Sequence, residues 1–474
     1  MKNLILFSII VSSASVGVSA DTDVNPAAHV GIFRTTDCTI GVASGTVTVD
    51  GRPLLWKVRD TSSNYREHVS YQATSPYSYL AVHGIGELIY MGLNEAGLAT
   101  GNSSVFSPGS GNSNSAAQRH ILQNDDSVDG VREELTLKVE QGLCNATGCF
   151  PFIDALGHAV IFEVSRSNWI LEYDALAPGR EDQGVAGFVV RANEFHQQLD
   201  GTDDISIGYG RYESGTYNVA GLIRENALSV QAIIQGSDGP NQGCEFVRYG
   251  PGRILESISR PTNRSTIVVH GVAPGEDPAL ATMWVILGHS NYGIAVPVWV
   301  SVSDIPTCLH NGQMFDRTES LYAKGNETAT QASVFPMEAH FFDVVLNRCL
   351  PLWRSAGVPA VAELARIEHG IAADAYSLMD CLDNHQADNQ PPQISVELIV
   401  EGQTVHATAN AFDPDGNVGS VLWDFGDGQW SADVSTSHVY AATGRYLISC
   451  TAIDDDAVSV TDWRYVTLAL TGAN

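Results

Sequence analysis

A cysteine, two basic residues and an acid fall within one short stretch of this sequence, residues 37–60, which reads Asp-Cys-Thr-Ile-Gly-Val-Ala-Ser-Gly-Thr-Val-Thr-Val-Asp-Gly-Arg-Pro-Leu-Leu-Trp-Lys-Val-Arg-Asp. The pattern is a strand, a tight turn at Asp50-Gly51 and a returning strand, which brings Cys38 to the same open end as Arg59 and Asp60. A thiol that opens a strand, with a carboxylate and a guanidinium beside it, suits a nucleophile activated by its own α-amino group. A free α-amine titrates near about 8 and sits next to its own side chain, so it can take the thiol proton directly or through water. Attack on an amide carbonyl then gives a thioester and releases an amine. The competing reading of Cys38 is a structural half-cystine.

Such a residue has to stand at the start of a processed chain, and the preceding sequence supplies the means. Lys2 precedes an apolar run at residues 4–11, and Val18-Ser19-Ala20 fits a signal-peptidase site, so residues 1–20 read as a signal peptide and residues 21–37, small and polar, as a propeptide. The run is too short to span a bilayer, and no cysteine lies near Ala20 to accept a lipid. The expectation is a secreted or periplasmic protein with no membrane insertion.

The 474 residues are 44% hydrophobic and 17% charged, enough apolar material for two folded domains. A formal charge of -29 without Lys/Arg clusters repels nucleic acid and anionic membranes, so neither is expected as a partner; solubility in salty surroundings accounts for the acidity more simply. Eight cysteines are present, and if Cys38 stays reduced the odd remainder leaves at least one more unpaired thiol. Cys144-Asn-Ala-Thr-Gly-Cys149 has the spacing of a small-loop disulfide. No second Cys or His pair stands at zinc spacing, so no metal and no cofactor is expected.

The elements that must position Cys38 follow from periodicity. Residues 87–93 and 98–102 flank the turn Asn94-Glu95-Ala96-Gly97, residues 152–154 and 158–164 flank a second turn, 188–192 is a further buried strand, and 218–235 and 337–353 have helical spacing. This predicts antiparallel sheets packed face to face with helices outside, an α+β domain over residues 38–384. The polar segment 383–392 ends in two prolines and reads as a linker at 385–392, so a chain ending near Gln390 is expected to fold and to keep its amide-cleaving activity.

Beyond the linker, residues 393–470 alternate with period two. Phe412-Asp413-Pro414-Asp415-Gly416, Leu422-Trp423-Asp424-Phe425-Gly426-Asp427-Gly428 and His438-Val439-Tyr440, followed by Gly444-Arg445-Tyr446, closely resemble the PKD domain, an all-β immunoglobulin-like sandwich found as an accessory module on secreted enzymes. The resemblance implies a spacer or a binding module for a polymer or protein; a stabilising sandwich without a ligand is the alternative. Asp413, Asp415 and Asn417 open like a calcium loop, but Val418 stands where such a loop needs glycine, and turn chemistry explains them better.

Five blocks of the larger domain, Cys38-Thr39, the return strand at 54–60, Met-Gly-Leu-Asn-Glu-Ala-Gly-Leu-Ala at 91–99, Val-Val-Arg-Ala-Asn at 189–193 and Gly-Arg-Tyr at 210–212, together resemble the N-terminal-nucleophile (Ntn) hydrolases of the choloylglycine hydrolase, penicillin acylase and isopenicillin N acyltransferase group, nearest the peptidase C45-like branch. The resemblance implies an αββα sandwich and self-processing that exposes Cys38. It implies catalytic roles for Asp60, orienting the nucleophile and its amine; for Asn193 and Asn102, as oxyanion-hole donors; and for Arg211, supporting the network. Surface or turn roles are the alternatives for each. Lys57 and Arg59 are assigned to substrate binding, and Val58 departs from the Asn expected in that branch, which bears on substrate contacts. Asn102-Ser103-Ser104 is also a glycosylation sequon, and a glycan there would be incompatible with a buried role. The expected activity is hydrolysis of linear amides of N-acyl amines, N-acyl amino acids or small peptide-like conjugates. The alternatives are acyl transfer through the same thioester, or a non-catalytic binding or adhesion protein in which the PKD domain is the working part.

Overall fold

The computed structural model describes residues 37–63, 65–84, 86, 88–105, 113–165, 169–193, 209–238, 247–249, 253–255, 258 and 260–469. The expected signal peptide and all but the last residue of the expected propeptide lie outside them. Strand β1 (Asp37–Ala43) pairs with β2 (Leu54–Asp60) in the register Cys38↔Arg59, Ile40↔Lys57 and Gly41↔Trp56, so the expected open end is formed. The connection is longer than the expected tight turn. Gly51 does adopt a left-handed φ of 81°, but a 3-10 turn at Gly45–Val47 precedes it, with Ser44 Oγ accepting from Thr46 N. Gly41 is obligatory, because a Cβ there would overlap the Trp56 ring.

These two strands lie inside a six-stranded antiparallel sheet ordered Phe188–Arg191, β1, β2, Asn263–His270, Thr282–Leu287, Val296–Val298. A second sheet runs from Trp169–Asp174 through Ala159–Ser165, Gly148–Ile153, Ala99–Gly101, Ile89–Asn94 and Tyr79–His83 to His68–Gln72. The two sheets face each other over β1 and β2. Helices Ser113–Asn124 and Val128–Glu140 cover the outer face of the second sheet, and Tyr209–Arg224 and Val230–Asp238 that of the first. The central strands are buried on both faces, and β2 is buried at every position, so its sequence lacks the alternation of a half-exposed strand. Ile40, Val42, Leu55, Leu80, Met91 and Ile161 belong to the core between the sheets, where Arg191 Nε also bonds Glu163 Oε1 at 2.7 Å.

Two helical expectations are refined. Residues 218–235 are not one helix: the first ends at Arg224, Asn226 takes a left-handed φ of 53°, and a second begins at Val230. The 337–353 stretch passes through a π-helical segment at Asp343–Cys349 between Glu327–Phe342 and Leu350–Ala356. The Cys144–Cys149 disulfide is not formed, for a topological reason. Cys149 opens a strand and packs in the inter-sheet core, whereas Cys144 packs in the separate core beneath helices Ser113–Asn124 and Val128–Glu140.

Residues 393–469 form a sandwich of a three-stranded sheet (Gln393–Glu401, Thr404–Phe412, Ser435–Val439) and a four-stranded one (Trp430–Ser431, Val418–Asp424, Gly444–Asp454, Ser459–Leu468) around Trp423, Phe425, Tyr440 and Cys450. Tyr440 OH donates to Phe425 O at 2.8 Å, fixing the corner between them. The expected free linker is instead tied down. Asp383 accepts from Arg317 at 3.0 Å and Lys324 at 2.6 Å, Asn389 Nδ2 bonds Asp454 Oδ2 at 3.2 Å, and Gln390 Nε2 bonds Ser333 Oγ at 3.1 Å. Helix Val361–Asn384 packs along Ser459–Leu468, where buried Asp374 accepts from Ser459 Oγ at 2.5 Å and Thr461 N at 2.8 Å, and Trp353 Nε1 bonds Tyr465 OH at 3.1 Å. Leu447, Val458, Val460 and Trp463 of the sandwich thereby join the main core.

Candidate functional site

Alternation along β1 and β2 sorts the side chains at their open end. Paired residues across an antiparallel ladder share a face, so Cys38, Lys57 and Arg59 point between the sheets while Thr39, Val58 and Asp60 point to the helical side. The contacts agree. Lys57 Nζ reaches across to the second sheet, donating to Tyr90 O at 3.1 Å, Asn102 O at 2.7 Å and Asn102 Oδ1 at 3.1 Å, and it shares the face of Cys38, with which it interacts electrostatically. Burial holds the Lys57 ammonium below its usual range, and the interaction with Cys38 only partly opposes that fall. Sequence reasoning assigned Lys57 to substrate; the structure puts it on the face of Cys38.

The Cys38 main chain is held as closely. Its nitrogen donates to Asn193 Oδ1 at 2.6 Å, and its carbonyl accepts from Arg211 Nη1 at 2.6 Å and from Ser103 Oγ at 3.5 Å. Arg211, fully buried near the start of helix Tyr209–Arg224, also gives Nη2 to Asn193 Oδ1 at 3.0 Å and approaches Thr39 Oγ1 at 3.4 Å. The amide orientation of Asn193 follows from these partners, because two donors face its oxygen and one acceptor, Ser104 O at 2.8 Å, faces its nitrogen. The group turned to Cys38 is therefore the amide oxygen, not the nitrogen an oxyanion would require. Asn102 Nδ2 likewise donates to Ser104 Oγ at 3.2 Å, so both expected oxyanion donors converge on Ser104. Asn102 is buried and holds Lys57, which leaves its sequon no room for a glycan.

Asp60 is buried one position beyond the Cys38↔Arg59 pair, opposite Asp37 on one side and Asn263 on the other. Its face is that of Thr39, away from the thiol. Val58 packs with Ile258 on that same side, so the departure from the family pattern does not touch the thiol's surroundings. Arg59 is engaged rather than available to a ligand: it forms an ion pair with Glu67 and its guanidinium lies 3.7 Å from the centre of the Tyr90 ring. Glu67, buried, also accepts from Ser265 Oγ at 2.7 Å.

Glu67, Tyr90, Ser103, Ser104 and Ser265 were missed by sequence reasoning. Ser103 and Ser104 adjoin Asn102 and could have been found as neighbours of a candidate; Glu67 lies in a stretch with no pattern to mark it. Among the described residues, no group of three or more His, Cys, Asp or Glu is placed to hold a metal ion, and no helix is long and apolar enough to cross a membrane.

Residues 389–468 match the family model described as the PKD domain, and the chain carries that domain. Beyond the domain, particular relatives can be named. The chain is 35% identical over 293 residues to a microbial collagenase of Vibrio alginolyticus, covering 57% of this chain and 34% of that protein. It is 39% identical over 74 residues to the pre-pro-metalloprotease PrtV of Vibrio cholerae, covering 16% of this chain and 8% of that protein. The chain thus spans about a third of the length of the first and less than a tenth of the second. Among solved structures, the PKD1 domain of Vibrio anguillarum Epp is 35% identical, over 17% of this chain and 98% of that one, with a TM-score of 0.17. Penicillin V acylase from Agrobacterium tumefaciens is 17% identical over 56% of this chain and 86% of that one, with a TM-score of 0.36, a likeness too slight to carry an inference.

Proposed function

We propose that this protein is an exported, self-processed cysteine Ntn hydrolase of the αββα type that cleaves linear amide bonds of N-acyl amines, N-acyl amino acids or small peptide-like conjugates. The observation that carries the reading is the hold on Cys38: its α-nitrogen on Asn193 Oδ1, its carbonyl on Arg211, its thiol beside the buried Lys57 ammonium. A half-cystine would need none of these.

In the chain joined through Asp37, the Cys38 nitrogen is an amide and cannot serve as a base. Attack of the Cys38 thiol on the Asp37 carbonyl transfers the acyl group from nitrogen to sulfur, and water then hydrolyses the thioester, freeing residues 1–37 or 21–37 and leaving an α-amine. That amine takes the thiol proton, the thiolate attacks the substrate carbonyl, and the amine leaving group carries the proton away. Water releases the acyl group by the reverse path. Asn193 Oδ1, an acceptor, suits the α-ammonium that forms during this transfer, and Arg211 holds both groups in line. Lys57 stabilises the thiolate. Asn102 and Asn193 would serve the oxyanion by exchanging Ser104 for the substrate oxygen. Asp60 and Arg59 act from the strand end, Asp60 on the α-amine and Arg59 on the charge balance of the site.

The PKD domain, proposed as a spacer or a module for a polymer or protein ligand, is a fixed buttress of the helical layer rather than a tether. Incubating the purified protein with a panel of N-acyl amides and detecting released amine tests the proposal; no release from any of them by a chain beginning at Cys38 would overturn it.

A further inference from the structure

We infer that Glu67 is a positioning residue for the nucleophile: it binds Arg59 and supplies a counter-charge to the two cations on the thiol's face, and so tunes the reactivity of Cys38. The inference rests on Cys38 being the working thiol of the proposed hydrolase. Lys57 and Arg59 are two residues apart on one strand, share the face of Cys38, and are both buried. Two such cations repel each other and overstabilise a thiolate unless a negative group stands with them. Glu67, at the mouth of strand His68–Gln72 in the opposite sheet, makes the ion pair with Arg59 and is fixed by Ser265 Oγ at 2.7 Å, and Ser265 is the ladder partner of Arg59 on the next strand.

Other charged groups nearby have partners of their own or face away: Arg191 and Glu163, on the same face between the sheets, pair with each other at 2.7 Å. Arg264, delivered at the bulge between Asn263 and Ser265, lies 3.4 Å from Glu319. Arg211 is directed at the Cys38 carbonyl and Asn193, and Asp60 is on the other face of the sheet. Burial holds the Glu67 carboxyl above its usual range against the pull of Arg59; burial likewise lowers Lys57, with Cys38 and Glu67 opposing that fall and Arg59 adding to it.

The test reads the thiol itself. The full chain is alkylated with iodoacetamide across a pH series, and modification is quantified on the Cys38 peptide by mass spectrometry. Glu67→Gln, which keeps the shape and an acceptor for Arg59, should lower the midpoint of Cys38 reactivity by about one pH unit. Arg59→Gln should raise it, and the double variant should return it to within about 0.3 unit of wild type. A folded Glu67→Gln protein with an unmoved midpoint would overturn the inference. Should Glu67→Gln not fold, the comparison of Arg59→Gln with the double variant decides: a raised midpoint restored in the double variant supports the role, and equal midpoints refute it. Because alkylation needs no amide substrate, a shifted midpoint in a protein that turns over no amide would defeat the proposed function and leave the role of Glu67 intact. Turnover with an unmoved midpoint would do the reverse.

Discussion

Replacing Lys57 by Met removes the ammonium while keeping most of the side chain's volume. Two effects separate cleanly. The buried carbonyls of Tyr90 and Asn102 lose their donor at 3.1 and 2.7 Å, and an unsatisfied buried acceptor costs about 1–3 kcal/mol, so the variant should melt lower. The thiolate also loses its adjacent cation. At about 4 Å and an effective dielectric near 20 a unit-charge pair is worth about 4 kcal/mol, an upper bound equal to about three pKa units. With relaxation of the site, kcat/KM at pH 7 should fall about 10- to 100-fold while recovering toward pH 9. The assay is amide turnover against pH, with thermal melting as the control for folding. A folded Lys57→Met enzyme with wild-type activity at pH 7 would refute the reasoning. So would a loss of activity with no displacement of the acidic limb, which would make Lys57 a packing residue only.

Asn193→Ala should lower kcat about 100- to 1,000-fold with little change in KM, because both the hold on the α-nitrogen and an oxyanion donor are removed; a near-normal rate in a folded variant would exclude the assignment. Ending the chain near Gln390 should destabilise the remainder or leave it insoluble, since helix Val361–Asn384 loses Val458, Val460 and Trp463 from its face; a truncated protein with the wild-type melting temperature would show the PKD domain to be dispensable. Asp374, raised by burial to about 6, binds its proton more tightly in the fold than in the open chain, so its contribution to stability declines as pH rises from about 4 to 6. Asp374→Asn should therefore gain about 2–3 kcal/mol relative to wild type between pH 4 and pH 7 in urea unfolding, and a pH-independent difference would contradict this.

The sequence was most informative where structure is local. The shared open end of β1 and β2, the hairpin through Asn94 and Gly97, the strand ending at Arg191 and the sandwich turns around Trp423 and Tyr440 all follow from strand-forming runs and turn residues within a few positions of one another. Cys38, Asn193 and Arg211 were legible as a set only through the family resemblance, and the structure brings them into contact. The roles of Lys57 and Arg59 were not legible. Both occupy the same face of β2, and what separates them is which groups of the opposite sheet lie above each, a matter of sheet stacking that strand periodicity does not encode. Segment 383–392 misled for a similar reason. Its polar residues look like solvated linker chemistry, yet Asp383 bonds Lys324 of a neighbouring helix, Asn389 bonds Asp454 of the sandwich and Gln390 bonds Ser333, so each has a specific partner.

The central claim, that Cys38 becomes an N-terminal nucleophile, is tested most directly by intact mass and N-terminal sequencing of the active protein beside Cys38→Ala. The account predicts a wild-type chain beginning Cys-Thr-Ile-Gly-Val and an inactive Cys38→Ala chain that keeps the residues before position 38. Full amidase activity from a chain in which Asp37 is still joined to Cys38 would contradict it.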